Sequence, residues 1–132
     1  MVTACVLVID GYAGFREAME YCLSKAGIAA LSAESVAQAL PRVKERVIDV
    51  VVLDATVSFE AALVECRAIK GRPEFAEAWV VLLAARVTDE WVEEARNAGA
   101  RAVLPRLFDW ADLMTWVERA VAAKDSRGER AP

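Results

Sequence analysis

The sequence contains no histidine among its 132 residues. Without an imidazole group, the chain cannot form a Ser-His or Cys-His nucleophile pair, cannot bind zinc through histidine and cannot carry a phosphoryl group on histidine. It also lacks a GxxxxGK[ST] loop, and no GxGxxG follows its first apolar run, so the usual nucleotide-binding signatures are missing. These absences remove several common kinds of enzyme and cofactor site.

Cysteine is scarce, and acidic residues outnumber basic ones. Cys5, Cys22 and Cys66 are odd in number and far apart in the sequence, and we expect them to be buried and reduced, as in a cytoplasmic protein. The net charge of −4 argues against a surface for nucleic acid, which requires clustered Lys and Arg. The longest apolar run, Ala78 to Ala85, is too short to span a bilayer, and the amino terminus has no export signal. We therefore predict a cytoplasmic protein with no nucleic-acid or membrane partner.

The size and composition are typical of one compact domain. A chain of this length with 57% hydrophobic and 27% charged residues can bury a core without disulfides or metals. We predict that this domain covers residues 1–123. Residues 124–132 are polar and include Gly and Pro, so we expect them to form a flexible tail.

Apolar strands alternate with amphipathic helices along the whole chain. Two almost wholly apolar runs, over residues 5–10 and 47–54, are typical of strands buried on both faces in a parallel sheet. The predicted strands are Ala4–Asp10, Ile28–Ser32, a third that ends at Asp54, Trp79–Ala84 and Ala102–Leu104; the predicted helices are Ala13–Ala26, Ser35–Arg46, Phe59–Lys70, Thr88–Ala98 and Trp110–Ala123. This pattern predicts a doubly wound, flavodoxin-like α/β fold with five parallel strands in the order 2-1-3-4-5 and helices on both faces.

Two of the predicted strands end in an acidic residue. In the order 2-1-3-4-5, Asp10 and Asp54 lie on neighbouring strand ends at the carboxyl edge of the sheet, where open α/β folds place their sites. A pair of carboxylates there suggests a site for a divalent metal or a phosphoryl group. The alternative is that both are ordinary strand-ending residues, since Asp favours turns.

Four sequence blocks occur in an order that resembles a known family. Over residues 2–121 the chain resembles the receiver domain of bacterial two-component response regulators. The matching blocks are Val6-Leu7-Val8-Ile9-Asp10 with Arg16, Val50-Val51-Val52-Leu53-Asp54, Val80-Val81-Leu82-Leu83-Ala84-Ala85, and Ala98-Gly99-Ala100 with Val103-Leu104-Pro105-Arg106-Leu107-Phe108. The resemblance implies a signalling module in a phosphorelay and not an enzyme.

The resemblance also implies roles for particular residues. In this family an acid pair after the first strand helps to bind Mg²⁺, and an aspartate after the third strand accepts phosphate from a histidine kinase. A hydroxyl after the fourth strand and a lysine after the fifth then engage the phosphoryl group. Carried over by position, Asp54 is the phospho-acceptor and Asp10 is the first acid of the pair.

The remaining positions of that site depart from the family pattern. The replacements are Gly11 for the second acid, Ala84 for the hydroxyl, Val103 for the aromatic switch residue, Arg106 for the lysine and Leu107 for the proline. Asp10 and Asp54 alone predict only weak Mg²⁺ binding. Arg106 is either a surface residue or a direct partner of Asp54. We therefore predict a divergent receiver, or pseudo-receiver, that acts as a phosphorylation-independent adaptor; the alternative is a conventional receiver switched by Mg²⁺-dependent phosphorylation of Asp54.

A group of tryptophans predicts a surface for protein contacts. Trp91, Trp110 and Trp116 fall on the fourth and fifth predicted helices, and with Val103 they mark the face formed by helix four, strand five and helix five. In receiver-like proteins this face docks a partner or a second copy, and Trp is enriched in such interfaces. The expected occupant is a histidine kinase, a downstream signalling protein or a second copy of the chain. The alternative is that arginine stems such as Arg96 and Arg119 cover the rings.

Overall fold

The computed structural model describes residues 4–44 and 46–126. Its sheet consists of β1 (Cys5–Ile9), β2 (Ala29–Ala33), β3 (Val50–Ala55), β4 (Trp79–Ala84) and β5 (Ala100–Pro105). All neighbouring strands are parallel, and their order is β2-β1-β3-β4-β5. The predicted fold class and strand order are confirmed.

Within the described residues, five helices alternate with the strands. They are α1 (Ala13–Lys25), α2 (Val36–Val43), α3 (Phe59–Lys70), α4 (Asp89–Asn97) and α5 (Trp110–Ser126), and a short 3₁₀ turn covers Pro73–Phe75. Hydroxyl side chains of Ser35, Ser58 and Thr88 accept a backbone N–H from the first turn of α2, α3 and α4. Gly27 and Gly99 follow α1 and α4 with positive φ angles of 79° and 102°, which few other residues adopt. These local signals place the helices at the predicted points in the sequence.

Each face of the sheet packs against its own helices. On β1, Leu7 and Ile9 join the core beneath α2, α3 and α4, whereas Val6 and Val8 join the core beneath α1 and α5. Because successive side chains of a strand point to opposite faces, strands covered on both sides must be apolar throughout. The continuous apolar runs of the sequence therefore follow from the three-layer architecture.

Two expectations about individual segments are corrected by the structure. Helix α5 continues to Ser126 and buries Lys124, so residues 124–126 belong to the domain instead of the expected tail; residues 127–132 lie outside the described residues. Cys22 is exposed, because the buried stripe of α1 passes through Met19 and Leu23 and leaves position 22 on its flank. Across residues 4–44 and 46–126, none of the helices combines the length and apolarity that crossing a membrane requires.

Candidate functional site

The two strand-end aspartates lie side by side at the carboxyl edge of the sheet. Ile9 of β1 pairs in register with Leu53 of β3, so the next residues, Asp10 and Asp54, occupy adjacent positions. The side chain of Asp10 is 2% exposed and that of Asp54 is 16% exposed. The topology therefore brings together one buried and one accessible carboxylate.

Arg106 bridges these two carboxylates from the loop that follows β5. Its Nη1 atom contacts Asp10 Oδ2 and lies 3.5 Å from Asp54 Oδ1. Its Nη2 atom lies 3.5 Å from Asp10 Oδ1. The sequence left two roles open for Arg106, a surface residue or a direct partner of Asp54. The structure places Arg106 at ion-pair distance from Asp54 and still closer to Asp10, a partner that was not expected.

Two further contacts hold Arg106 in this position. The Cζ atom of its guanidinium lies 3.8 Å from the centre of the Phe15 ring, within the range of a cation–π interaction. Its backbone N–H donates to the carbonyl of Ala84 at 3.0 Å. Phe15 was not among the residues singled out from the sequence, since an aromatic residue in the first helix looks like an ordinary core position.

Asp10 has hydrogen-bond partners besides Arg106, one on its buried carboxylate and one on its backbone carbonyl. The backbone N–H of Tyr12 donates to its Oδ1 at 2.9 Å, and the Arg16 guanidinium donates to its backbone carbonyl at 2.7 Å. A buried charge is costly unless it is paired and hydrogen-bonded. Asp10 meets both conditions through groups of this chain alone.

Asp54 is fixed by Thr56, a residue that the sequence reasoning missed. The backbone N–H and the hydroxyl of Thr56 donate to Asp54 Oδ1 at 2.9 and 2.5 Å. This local loop is an Asx turn, which the spacing Asp-x-Thr after a strand would have indicated. Among the described residues, every hydrogen bond and ion pair of Asp54 falls on Oδ1, and its Oδ2 receives none.

Three of the positions that depart from the family pattern are Gly11, Ala84 and Val103. Gly11 is exposed, and a Cβ added there would meet no atom within 4 Å. Ala84 is completely buried and brings a methyl group to the end of β4, and Val103 is also buried. The site thus has room at position 11 for the acid that the family places there. Among the described residues it contains the carboxylates of Asp10 and Asp54, and position 84 offers Asp54 no hydroxyl.

These donors do not fit a resident magnesium ion. Mg²⁺ prefers near-octahedral oxygen coordination and is usually held by carboxylates together with waters. Both oxygens of Asp10 already accept hydrogen bonds, and a guanidinium charge stands beside the second acid. Within residues 4–44 and 46–126 no group of three or more His, Cys, Asp or Glu side chains is arranged to hold a metal.

Comparison with known proteins identifies the family. A family model described as the response regulator receiver domain matches residues 6–118, which is most of the chain. The chain belongs to the response regulator receiver family.

Solved structures of other receivers agree with this assignment. A response regulator from Thermotoga maritima is 25% identical, with a TM-score of 0.77, and the match covers 92% of this chain and 99% of that one. The BeF3-activated DrrB receiver domain is 26% identical, with a TM-score of 0.71 and the same coverage. The chemotaxis response regulator CheY4 of Vibrio cholerae is 20% identical, with a TM-score of 0.75, and the match covers 90% of this chain and 99% of that one. At this low identity the match shows the fold alone. No curated protein matches the sequence.

The loops around the acid pair of this receiver domain carry exposed apolar side chains. Tyr12, Val57, Val87 and Leu107 follow β1, β3, β4 and β5, and all four are exposed. Val57 and Leu107 are each 94% exposed, so almost their whole side chains face solvent. We call these four residues the apolar rim. Only Leu107 among them was singled out from the sequence.

The expected tryptophan face of the receiver domain is only partly present as predicted. Val103 is buried and offers little surface to a partner. The Trp91 side chain does not project into solvent as expected. Its ring stacks on Phe59 of α3 with centroids 4.2 Å apart, and the Arg86 guanidinium lies over the Trp91 ring. An aromatic residue at the start of α3 gives Trp91 an intramolecular partner, which helix periodicity alone does not reveal.

The other two tryptophans are also partly buried. Trp110 lies beside Phe108 at the start of α5, with ring centroids 6.4 Å apart. Trp116 packs against Trp79 at 6.2 Å, and Arg119 lies over its ring. The alternative, that arginine side chains cover the rings, is therefore present at two of these tryptophans. Arg119 covers Trp116 as expected, whereas Trp91 is covered by Arg86 and not by Arg96.

Proposed function

We propose that this receiver domain acts in two-component signalling as a non-enzymatic docking module whose contacts do not depend on phosphorylation of Asp54. The observation that carries the proposal is the position of Arg106. Its guanidinium contacts Asp10 and lies 3.5 Å from Asp54, where the family uses a metal ion and a lysine. The negative charge of the acid pair is therefore partly offset from within the chain.

Phosphorylation of a carboxylate requires charge neutralisation that this site supplies poorly. Phosphoryl transfer depends on a hard cation that offsets the negative charge gathering on the transferred group. Among the described residues the site offers two acids, and Arg106 lies within ion-pair distance of both. Ala84 also lacks the hydroxyl that would bond a phosphorylated Asp54, and a hydrogen bond to a charged group contributes about 1.5–3 kcal/mol. A switch biased by a few kcal/mol is silenced by such a loss.

The apolar rim supports a role in protein contacts. Each of the four loops that follow β1, β3, β4 and β5 carries one exposed apolar side chain. Apolar side chains grouped at one edge of the sheet favour association with an apolar partner surface. Because the central charges are paired, such a contact would not leave an isolated buried charge. We propose a cytoplasmic histidine kinase or downstream signalling protein as the partner. Homodimerisation through α4, β5 and α5 remains a prediction.

One observation favours the alternative, a conventional receiver switched by phosphorylation. Asp54 Oδ2 accepts no hydrogen bond from the described residues, and the side chain is 16% exposed, so a phosphodonor can approach it. In that case Arg106 would pair with the phosphoryl group in place of lysine. The two functions differ in whether Asp54 forms an adduct.

The first experiment measures adduct formation. The full chain is incubated with Mg²⁺ and acetyl phosphate, or with beryllofluoride, and intact mass and tryptophan fluorescence are followed. CheY4 of Vibrio cholerae serves as a reference receiver, and Asp54→Asn serves as the negative control. We expect no stable adduct on the wild-type chain. An adduct that is absent from Asp54→Asn and that changes the fluorescence would favour the conventional switch.

The second experiment measures docking against the histidine kinases and phosphotransfer proteins of the same organism. We expect Asp54→Asn to bind its partner as the wild type does. The double variant Val57→Ser/Leu107→Ser should bind at least about tenfold more weakly, because it removes two apolar contacts. Val64→Ser is the matched control, since Val64 is an exposed valine on α3, away from the rim. Loss of binding in Asp54→Asn would contradict the proposed function.

A further inference from the structure

We propose that the Arg106 guanidinium is the resident cation of the Asp10–Asp54 site and that it excludes divalent metal ions from this site. The inference rests on the proposed function and adds to it a physical reason for independence from phosphorylation.

The geometry places the guanidinium where a shared metal ion would have to lie. Nη1 of Arg106 contacts Asp10 Oδ2 and is 3.5 Å from Asp54 Oδ1. A magnesium ion bridging the same two oxygens would stand about 2.0–2.1 Å from each of them. It would therefore displace Nη1 or lie within a few ångströms of a positive charge, in a pocket that screens charges less than bulk water does.

Several contacts resist displacement of the guanidinium. The ring of Phe15 supports one face of it at 3.8 Å, and the Arg106 backbone is fixed to Ala84 by a 3.0 Å hydrogen bond. A guanidinium reaches two carboxylates with separate N–H groups, which a single ammonium point charge cannot do in the same way. Because Asp10 is almost fully buried, losing Arg106 would also leave a carboxylate away from solvent without its counter-charge.

Neighbouring residues also disfavour a divalent metal ion at the Asp10–Asp54 site. A second guanidinium, that of Arg16, donates to the backbone carbonyl of Asp10 at 2.7 Å, so another positive charge stands beside the first acid. Gly11 contributes no carboxylate, although a Cβ there would meet no atom within 4 Å. The site therefore balances two negative charges with cations from its own chain and lacks the third acid that would favour a metal.

The test measures binding of Mn²⁺ by electron paramagnetic resonance and by paramagnetic broadening of amide signals in the full chain. Wild type is compared with Arg106→Met, which keeps the stem over Phe15 but removes the charge, and with Gly11→Asp/Arg106→Met. Arg96→Met is the control, because Arg96 is exposed on α4. We expect no saturable binding by wild type or Arg96→Met. Arg106→Met should bind at least about tenfold more tightly than wild type, and the double variant more tightly still.

Saturable Mn²⁺ binding by the wild type, with broadening centred on Asp10 and Asp54, would overturn the inference. So would a folded Arg106→Met that binds no better than the wild type. If that variant does not fold, Gly11→Asp decides, because position 11 has room for the new side chain and Arg106 stays in place. We expect Gly11→Asp alone to remain without saturable binding, and tight binding by it would refute exclusion. Because no phosphodonor or partner is present, the result is independent of the docking experiment with Asp54→Asn.

Discussion

The ammonium group of Lys124 lies 3.1 Å from Asp49 Oδ1, and the two side chains are only 3% and 1% exposed. Lys124 Nζ also donates to the carbonyl of Ile48 at 3.3 Å, and Asp49 Oδ2 accepts the backbone N–H of Cys5 at 2.8 Å. This buried ion pair joins the end of α5 to the starts of β1 and β3, at the sheet edge opposite the acid pair. It explains why the domain extends beyond residue 123.

Replacing Lys124 by Met should destabilise the domain strongly. The variant removes the ammonium charge and leaves the Asp49 carboxylate buried without it, and breaking a buried pair in this way typically costs about 3–5 kcal/mol. The free energy of unfolding, measured by urea denaturation, should fall by that amount.

Two variants separate the lost charge from other effects of this substitution. Lys44→Met removes an exposed lysine and should change the free energy of unfolding by less than about 0.5 kcal/mol. Asp49→Asn/Lys124→Met removes both charges and should be more stable than Lys124→Met alone. A Lys124→Met protein as stable as wild type would show that the pair contributes little.

The architecture could be predicted from the sequence because its signals are local. Strands covered on both faces must be apolar throughout, and helix caps such as Ser35 and Thr88 act within a few residues. The topology rules for parallel strands then place Asp10 beside Asp54 without any knowledge of side-chain contacts.

The contacts that define the site could not be predicted in the same way. Arg106 is far from both acids in sequence. Its contacts with Asp10, Asp54 and the ring of Phe15 depend on distances of a few ångströms. Lys124 looked like part of a polar tail, because its partner Asp49 lies on a distant segment. Such pairings depend on three-dimensional placement, which neither composition nor periodicity carries.

The stacked rings of Phe59 and Trp91 should couple α3 to α4 energetically. Their centroids are 4.2 Å apart and their planes differ by 10°. Aromatic pairs contribute about 0.5–1.5 kcal/mol beyond the area they bury. In a double-mutant cycle of Phe59→Leu and Trp91→Leu, we expect a coupling energy of that size in the free energy of unfolding.

The pair Phe108 and Trp110 provides the comparison, since its centroids are 6.4 Å apart and the contact is looser. The same cycle on this pair should give a smaller coupling energy. Equal coupling in the two cycles would mean that the Phe59–Trp91 stack holds α4 no more firmly than an ordinary apolar contact.

Glu65 should make the stability of the domain depend on pH. Burial on α3 raises the pKa of its carboxyl group above the usual value of 4.5, so the folded state favours the protonated form. The stability contributed by that proton is fully present below pH 4.5 and is lost as the pH rises through the folded-state pKa. Glu65→Gln should therefore be more stable than wild type at neutral pH, and this advantage should shrink in acid. Thermal unfolding across this range measures the difference, with the exposed Glu118→Gln as a control that shows no such trend.

The three thiols should differ sharply in their reactivity. Cys22 is exposed on α1, whereas Cys5 and Cys66 are buried in the core. Burial raises the pKa of Cys66 to about 11 and also raises the pKa of Cys5, so both remain protonated near neutral pH, and the thiolate is the reactive form. Under native conditions iodoacetamide should add one label, at Cys22, and in urea it should add three. The control variant Cys22→Ser should take up no label while folded. If Cys66 of the wild type were labelled as fast as Cys22, the α3 side of the core would open readily. Intact mass and peptide mapping distinguish these outcomes.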